Sequence, residues 1–162
     1  MEADVLDVYD YDGNLINKTV QRGTEDLKEN EYVMLSVVFI KNDKDQFLIQ
    51  KTSEERGELF SATGGHVRHK ETPVEAIIRE IQEELGITVL EERVTFIDKA
   101  VLENKPCIFN VFYLEINADA HSFELQEDEV AEVLWLNRQE ITELIENNQF
   151  LQSHGLLFDY IK

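Results

Sequence analysis

One cysteine, two prolines and one tryptophan in 162 residues exclude several classes of protein at once. A single cysteine, Cys107, leaves no internal disulfide, so this is not a small scaffold stapled by bridges. No apolar run approaches the roughly 20 residues that a membrane-spanning helix needs. No short apolar stretch behind a basic start reads as a secretory signal, so the expectation is a cytoplasmic protein that does not enter membranes. Positive charge is scarce: 15 Lys and Arg stand against 34 Asp and Glu, a net charge of −19. Long nucleic acids are bound by Lys and Arg that displace their counterions, and this chain lacks the surplus to do so. Anionic membranes are disfavoured for the same reason. Repeats, linkers and low-complexity tracts are also missing. What remains is a chain of one-domain size, residues 1–162, with 43% hydrophobic residues to build a core.

The order of patterns along the chain predicts an α/β fold. Alternating residues at 5–9 and 15–20, joined through Asp12-Gly13-Asn14, predict a hairpin over about residues 3–21. Residues 32–40 are apolar enough for a central strand, and the polar turn 42–45 leads into a second strand at 47–51. Residues 52–58 are polar and predict a mobile loop. Strands follow near 94–102 and 107–116, with Asn104-Lys105-Pro106 between them, and a last strand at 130–136. Asn137 is placed to cap a helix starting near Gln139, and the apolar end at 150–161 is expected to be helical in part. Strands and helices mixed in this order give layered α/β architecture.

The densest information lies in residues 65–87, GHVRHKETPVEAIIREIQEELGI. Thr72 suits an N-cap, Pro73 a first helical position and Gly86 a helix stop. At ~100° per residue, Val74, Ile77, Ile78, Ile81 and Leu85 share one arc, which can pack against a sheet. Glu80, Glu83 and Glu84 share another. Their i, i+3, i+4 spacing brings three carboxyl groups within reach of one another, where they repel unless a proton or a cation intervenes. Carboxylate oxygens suit Mg²⁺ or Mn²⁺, which in turn clamp phosphate oxygens. Arg79 is spaced to pair with Glu75 or with Glu71. A solvated acidic face would carry the same glutamates, but it has no use for Gly64-Gly65 and Glu71 at fixed distances upstream. Gly65 can turn sharply and aim its carbonyl at a cation. The charge of −19 adds that a small anionic substrate would be repelled unless divalent cations mask the site.

At these residues the chain resembles the Nudix hydrolases, matching their signature G-x5-E-x7-R-E-U-x-E-E-x-G-U, with U apolar, at every position of residues 65–87. The stretch from Val5 to Lys51, together with Glu129-Val130 and Trp135-Leu136, is similar to the branch of isopentenyl-diphosphate isomerase. The resemblance implies a Nudix-type α/β/α sandwich with a mixed β-sheet and metal-dependent hydrolysis of a nucleoside diphosphate linked to another moiety. It implies that the Gly65 carbonyl, Glu80, Glu83 and Glu84 bind Mg²⁺ or Mn²⁺, and that Glu71 and Arg79 support the box. Glu80 is the leading base, with Glu83 and Glu129 as further catalytic candidates. Glu129 is preferred over Glu127 and Glu124 as a contributor from the segment before the last strand. His66, Lys51, Arg56 and Arg68 are expected to meet substrate phosphates.

Two other activities stay open at this level. One is isomerisation of a prenyl diphosphate, although the related enzymes carry a cysteine where Gly64 stands. The other is nucleotide sensing without cleavage. The expected partner is a small diphosphate compound, and the N-terminal hairpin could offer a pairing edge for a homodimer.

Overall fold

Alternating side chains on two strands divide the molecule into layers. The computed structural model describes residues 4–23, 26–102 and 105–162. On β3 (Val33–Lys41), Val37 and Phe39 enter one apolar cluster while Val38 and Ile40 enter another. On β4 (Gln46–Thr52), Phe47 and Ile49 go one way and Leu48 the other. Side chains of period two on a strand point to opposite faces, so the sheet is buried on both sides. One face is covered by α1 (Pro73–Leu85), through Ile77, Ile81 and Leu85. The other is covered by α2 (Arg138–Glu146) and α3 (Gln152–Phe158), through Ile141, Leu157 and Phe158. The result is an α/β sandwich of the expected class.

The main sheet has seven strands and is mixed. Its path runs β5 (Phe60–Ser61), β4, β3, β8 (Cys107–Glu115), β7 (Thr95–Val101), with β6 (Thr63–His66) paired to β3 and β9 (Val130–Asn137) paired to β4. β3 and β8 are parallel and the other pairs antiparallel. β3 and β4 pair only at Lys41↔Phe47. Beyond that point they part: β3 takes β6 as its neighbour, and β4 takes β5 and β9. That divergence opens the sheet where the cleft lies.

The predicted hairpin forms a separate two-stranded sheet, β1 (Val5–Tyr9) with β2 (Leu15–Gln21); residue 3 of the expected span lies outside the described residues. Its turn is held by Asp10, whose carboxylate accepts from the Asp12 and Asn14 amides. Hydrogen bonds between Tyr9 and Tyr32 dock it on the start of β3. The Val5 carbonyl and the Asp7 carboxylate accept from the His69 and Lys70 amides, tying the hairpin to the loop before α1. Residues 52–58, expected as a mobile loop, instead form a 3-10 turn at Glu54–Arg56. Ser53 pins this turn by donating to the Asp128 carbonyl. Of the expected turn at 104–106, Asn104 lies outside the described residues.

Candidate active site

α1 begins and ends as its sequence requires. Thr72 and Glu75 form a capping box, with Pro73 at the first turn, and Gly86 closes the helix at φ 74°. Burying Ile77, Ile81 and Leu85 contributes about 1.5–3 kcal/mol each.

Because Glu75 is used in the cap, Arg79 turns to Glu71. Its guanidinium donates to both Glu71 oxygens at 2.8 and 3.0 Å, to Glu80 at 2.7 Å and to the His66 carbonyl at 2.9 Å. Burial draws the Glu71 carboxyl upward, but hydrogen bonds and charge from Arg79 outweigh it and leave Glu71 below the usual carboxylate range. Arg79 is thus a clamp that fixes the loop, the strand β6 and the helix relative to one another.

The glycine pair works differently from expectation. Neither Gly64 nor Gly65 has a positive φ; both lie in β6, paired with Val37 and Ser36. A Cβ on Gly65 would overlap the Glu80 carboxylate, and one on Gly64 would stand 2.5 Å from the Ser36 carbonyl oxygen. Glycine is needed here for close approach, not for a sharp bend.

Glu80 and Glu84 form a buried acidic pair. Glu84 is only 4% exposed. Its Oε1 accepts from Gln50 at 2.7 Å, while its Oε2 is buried with no donor, the Glu80 carboxyl beside it offering a hydrogen bond only when the two share a proton. Desolvation, then the neighbouring Glu80, raises Glu84 well above an ordinary carboxyl, and burial raises Glu80 despite the Arg79 charge beside it. Glu83 sits apart: it is half exposed and loosely held by Arg79 at 3.3 Å and Arg68 at 3.8 Å. Among the described residues no three acidic, histidine or cysteine side chains are already gathered as metal ligands. The site nonetheless fits a hard divalent cation. A buried, unpartnered carboxylate oxygen is rare in native proteins, and a cation would satisfy it and relieve the Glu80–Glu84 repulsion.

These groups open into a cleft of about 720 Å³ lined by Gly65, His66, Arg68, Glu80, Glu83, Glu84, Arg56 and Glu129, among others. Arg56 and Glu129 pair at 2.6 Å across its wall. Glu127 and Glu124 do not line it, and Glu124 instead packs against Gly86. Lys51, expected at the substrate, is also absent from the lining; its ammonium lies over the Phe60 ring at 5.7 Å. Sequence reasoning missed Asp4 and Arg22, which the hairpin brings to the cleft, together with Gln50, Asp128 and His154. The docking of the hairpin reveals Asp4 and Arg22, that of α3 reveals His154, and the packing of β4 and the segment before β9 reveals Gln50 and Asp128. Cys107, at the start of β8, does not line the cleft.

The chain belongs to the NUDIX domain family, whose pattern matches residues 33–154. It is 34% identical over 112 residues to the uncharacterized Nudix hydrolase YfcD of Escherichia coli strain K12, a match covering 65% of this chain and 59% of that protein. The match therefore spans about three fifths of the length of that relative. Among solved structures, DR0079 from Deinococcus radiodurans aligns with TM-score 0.79 at 18% identity over 98% of this chain and all of that one. The NUDIX domain of Shewanella oneidensis NrtR, crystallised with ADP ribose, aligns with TM-score 0.62 at 11% identity over 80% of this chain and 85% of that one. At these identities the two structures speak to the fold. Among the described residues no helix is long and apolar enough to cross a membrane.

Proposed function

We propose that the protein is a metal-dependent pyrophosphohydrolase cleaving the diphosphate bond of a nucleoside diphosphate linked to a second moiety. The observation that carries this reading is the buried Glu80–Glu84 pair with its unpartnered oxygen, facing an open cleft rimmed by Arg56 and Arg68. Bound at the box, Mg²⁺ or Mn²⁺ would neutralise phosphate charge and polarise the scissile bond. Glu80, Glu83, Glu84 and the Gly65 carbonyl are the groups that would hold it.

Glu80 takes the proton of the attacking water. Arg79 keeps it oriented through the 2.7 Å hydrogen bond. Glu83 and Glu129 are the further acidic groups, and Arg56, Arg68 and His66 meet the phosphates. Lys51 has no part in this reading, since the ring of Phe60 holds it outside the cleft. Isomerisation is disfavoured, because Gly64 supplies no acid–base group and Cys107 is outside the cleft. Pairing of two copies along the outer edge of β2 is compatible with this cleft.

The test is phosphate release from a panel of nucleotide sugars, dinucleoside polyphosphates, coenzyme diphosphates, nucleoside triphosphates and ADP-ribose with Mg²⁺ and with Mn²⁺. ADP-ribose is included because the NrtR domain was crystallised with it. Cleavage of at least one compound, together with a Mg²⁺-induced rise in Tm, is expected. Absence of both would overturn the reading.

A further inference from the structure

The groups used for hydrolysis gather where α1 meets the cleft. The opposite helical layer reaches the same cleft through α3, whose His154 lies there with Leu35, Ser61, Ala62 and Leu151. His154 is 8% exposed, and its Nδ1 accepts the Ala62 amide hydrogen at 3.2 Å. A neutral imidazole whose Nδ1 accepts carries its hydrogen on Nε2. Among the described residues none accepts from Nε2, Nε2 is not sealed from solvent, and the ring lines the cleft, which leaves this donor open to a ligand there.

The surroundings select what it meets. Burial pushes the His154 imidazole down to about 4, so it is uncharged near neutral pH. Phosphate charge is better met by Arg22, Arg56 and Arg68 elsewhere on the cleft. A sugar would bring several hydroxyls, each needing an acceptor as well as a donor, whereas Nε2–H only donates. A heterocyclic base offers ring-nitrogen or carbonyl acceptors at its edge and apolar faces that suit Leu35, Ala62 and Leu151.

We propose that His154 is the specificity-determining residue of a nucleobase subsite, its Nε2–H donating to an acceptor on the base edge. This rests on the nucleotide-hydrolase reading for the nature of the substrate, but its test needs no turnover. AMP, GMP, CMP and UMP are titrated calorimetrically into the full chain with Mg²⁺ and compared with ribose 5-phosphate, which lacks a base. At least one nucleotide should bind tenfold or more tightly than ribose 5-phosphate.

His154→Asn keeps a side-chain oxygen for the Ala62 amide but removes the distal donor. It should lose about tenfold on that nucleotide and nothing on ribose 5-phosphate, the scale of one hydrogen bond. His154→Gln, whose amide nitrogen reaches the Nε2 position, should recover part of the loss. A merely structural histidine would weaken both ligands alike or neither. No base preference in the wild type, or full preference kept in His154→Asn, overturns the proposal. Should the Asn variant not fold, the ¹⁵N resonance of Nε2 in the wild type decides: it moves on nucleotide addition, or the proposal fails. A chain that shows the base preference yet neither cleaves a panel compound nor gains Tm with Mg²⁺ would fail the hydrolase reading and keep the subsite.

Discussion

The two sides of the cleft are assembled over very different distances along the chain. On the box side, Arg79 reaches Glu71, Glu80, Glu83 and the His66 carbonyl, all within 13 residues of itself. On the other side, Arg56 meets Glu129 across 73 residues, and Ala62 meets His154 across 92. A local constellation leaves its geometry in the spacing of one helix, whereas a non-local one leaves only scattered residue types. The difference is also electrostatic. The box side concentrates carboxylates, with Glu84 buried among them; the far side carries the Arg56–Glu129 pair and, around His154, an uncharged donor among apolar walls.

The sharpest way to break this comparison is to neutralise the box. Glu83→Gln or Glu84→Gln should lower turnover by roughly 10²–10⁴-fold on whichever panel compound is cleaved, the scale of a lost catalytic group. Near wild-type rates in either would remove the box from the mechanism. Gly65→Ala comes next. Its methyl must displace the Glu80 carboxylate, so turnover should fall by roughly 10²-fold. The Mg²⁺-induced Tm shift should disappear with it.

Arg79→Met tests the clamp. It leaves Glu71 and Glu80 without their cation, and urea denaturation should show a loss of about 2–4 kcal/mol, discounted from the range for buried pairs because Arg79 keeps part of its side chain in solvent. A loss under about 0.5 kcal/mol would make Arg79 an ordinary surface pair.

Acidity separates the two sides without mutation. Glu84 is raised in the fold, so the cation-free protein holds a proton that the unfolded chain releases sooner, and this side gains stability as pH falls through the raised value. Mg²⁺ competes with that proton, so its stabilisation should grow as pH rises in thermal melts. His154 runs the other way. It is lowered from 6.5 to about 4, so its contribution is present above the unfolded value and is lost as pH falls between them. His154→Asn should flatten that acid limb, and an unchanged limb would assign it to another group. Arg56→Ala should have the smallest effect, raising KM by about tenfold or less, because its pair with Glu129 is half exposed and solvent-screened.

The comparison also explains what could be read in advance. The limits of α1, its Thr72 cap and the shared face of Glu80, Glu83 and Glu84 follow from a period of 3.6 and a few stop signals. The hairpin and the main strands were equally legible, because alternation and turn residues are local. Gly65 was legible as a requirement but not as a reason, since only β6 lying against Glu80 shows that space, not backbone freedom, is what it supplies. Lys51 was misplaced because a positive charge near a motif says nothing about which side of a strand it occupies, and the ring of Phe60 holds it away from the cleft. Residues 52–58 looked loose because their anchors, Asp128 and Glu129, lie more than 70 positions away.

The order of residues alone determined the layered α/β class, the box helix and the acidic chemistry it carries, because periodicity, capping and local spacing act over a few turns of chain. Tertiary structure decided that Arg79 takes Glu71 once Glu75 is committed to the cap. It also decided that Glu83 stands apart from the buried pair, and that Arg22 and His154 share a cleft with Glu84. Those outcomes depend on which distant surfaces exclude water together, and a one-dimensional pattern does not encode which surfaces those are.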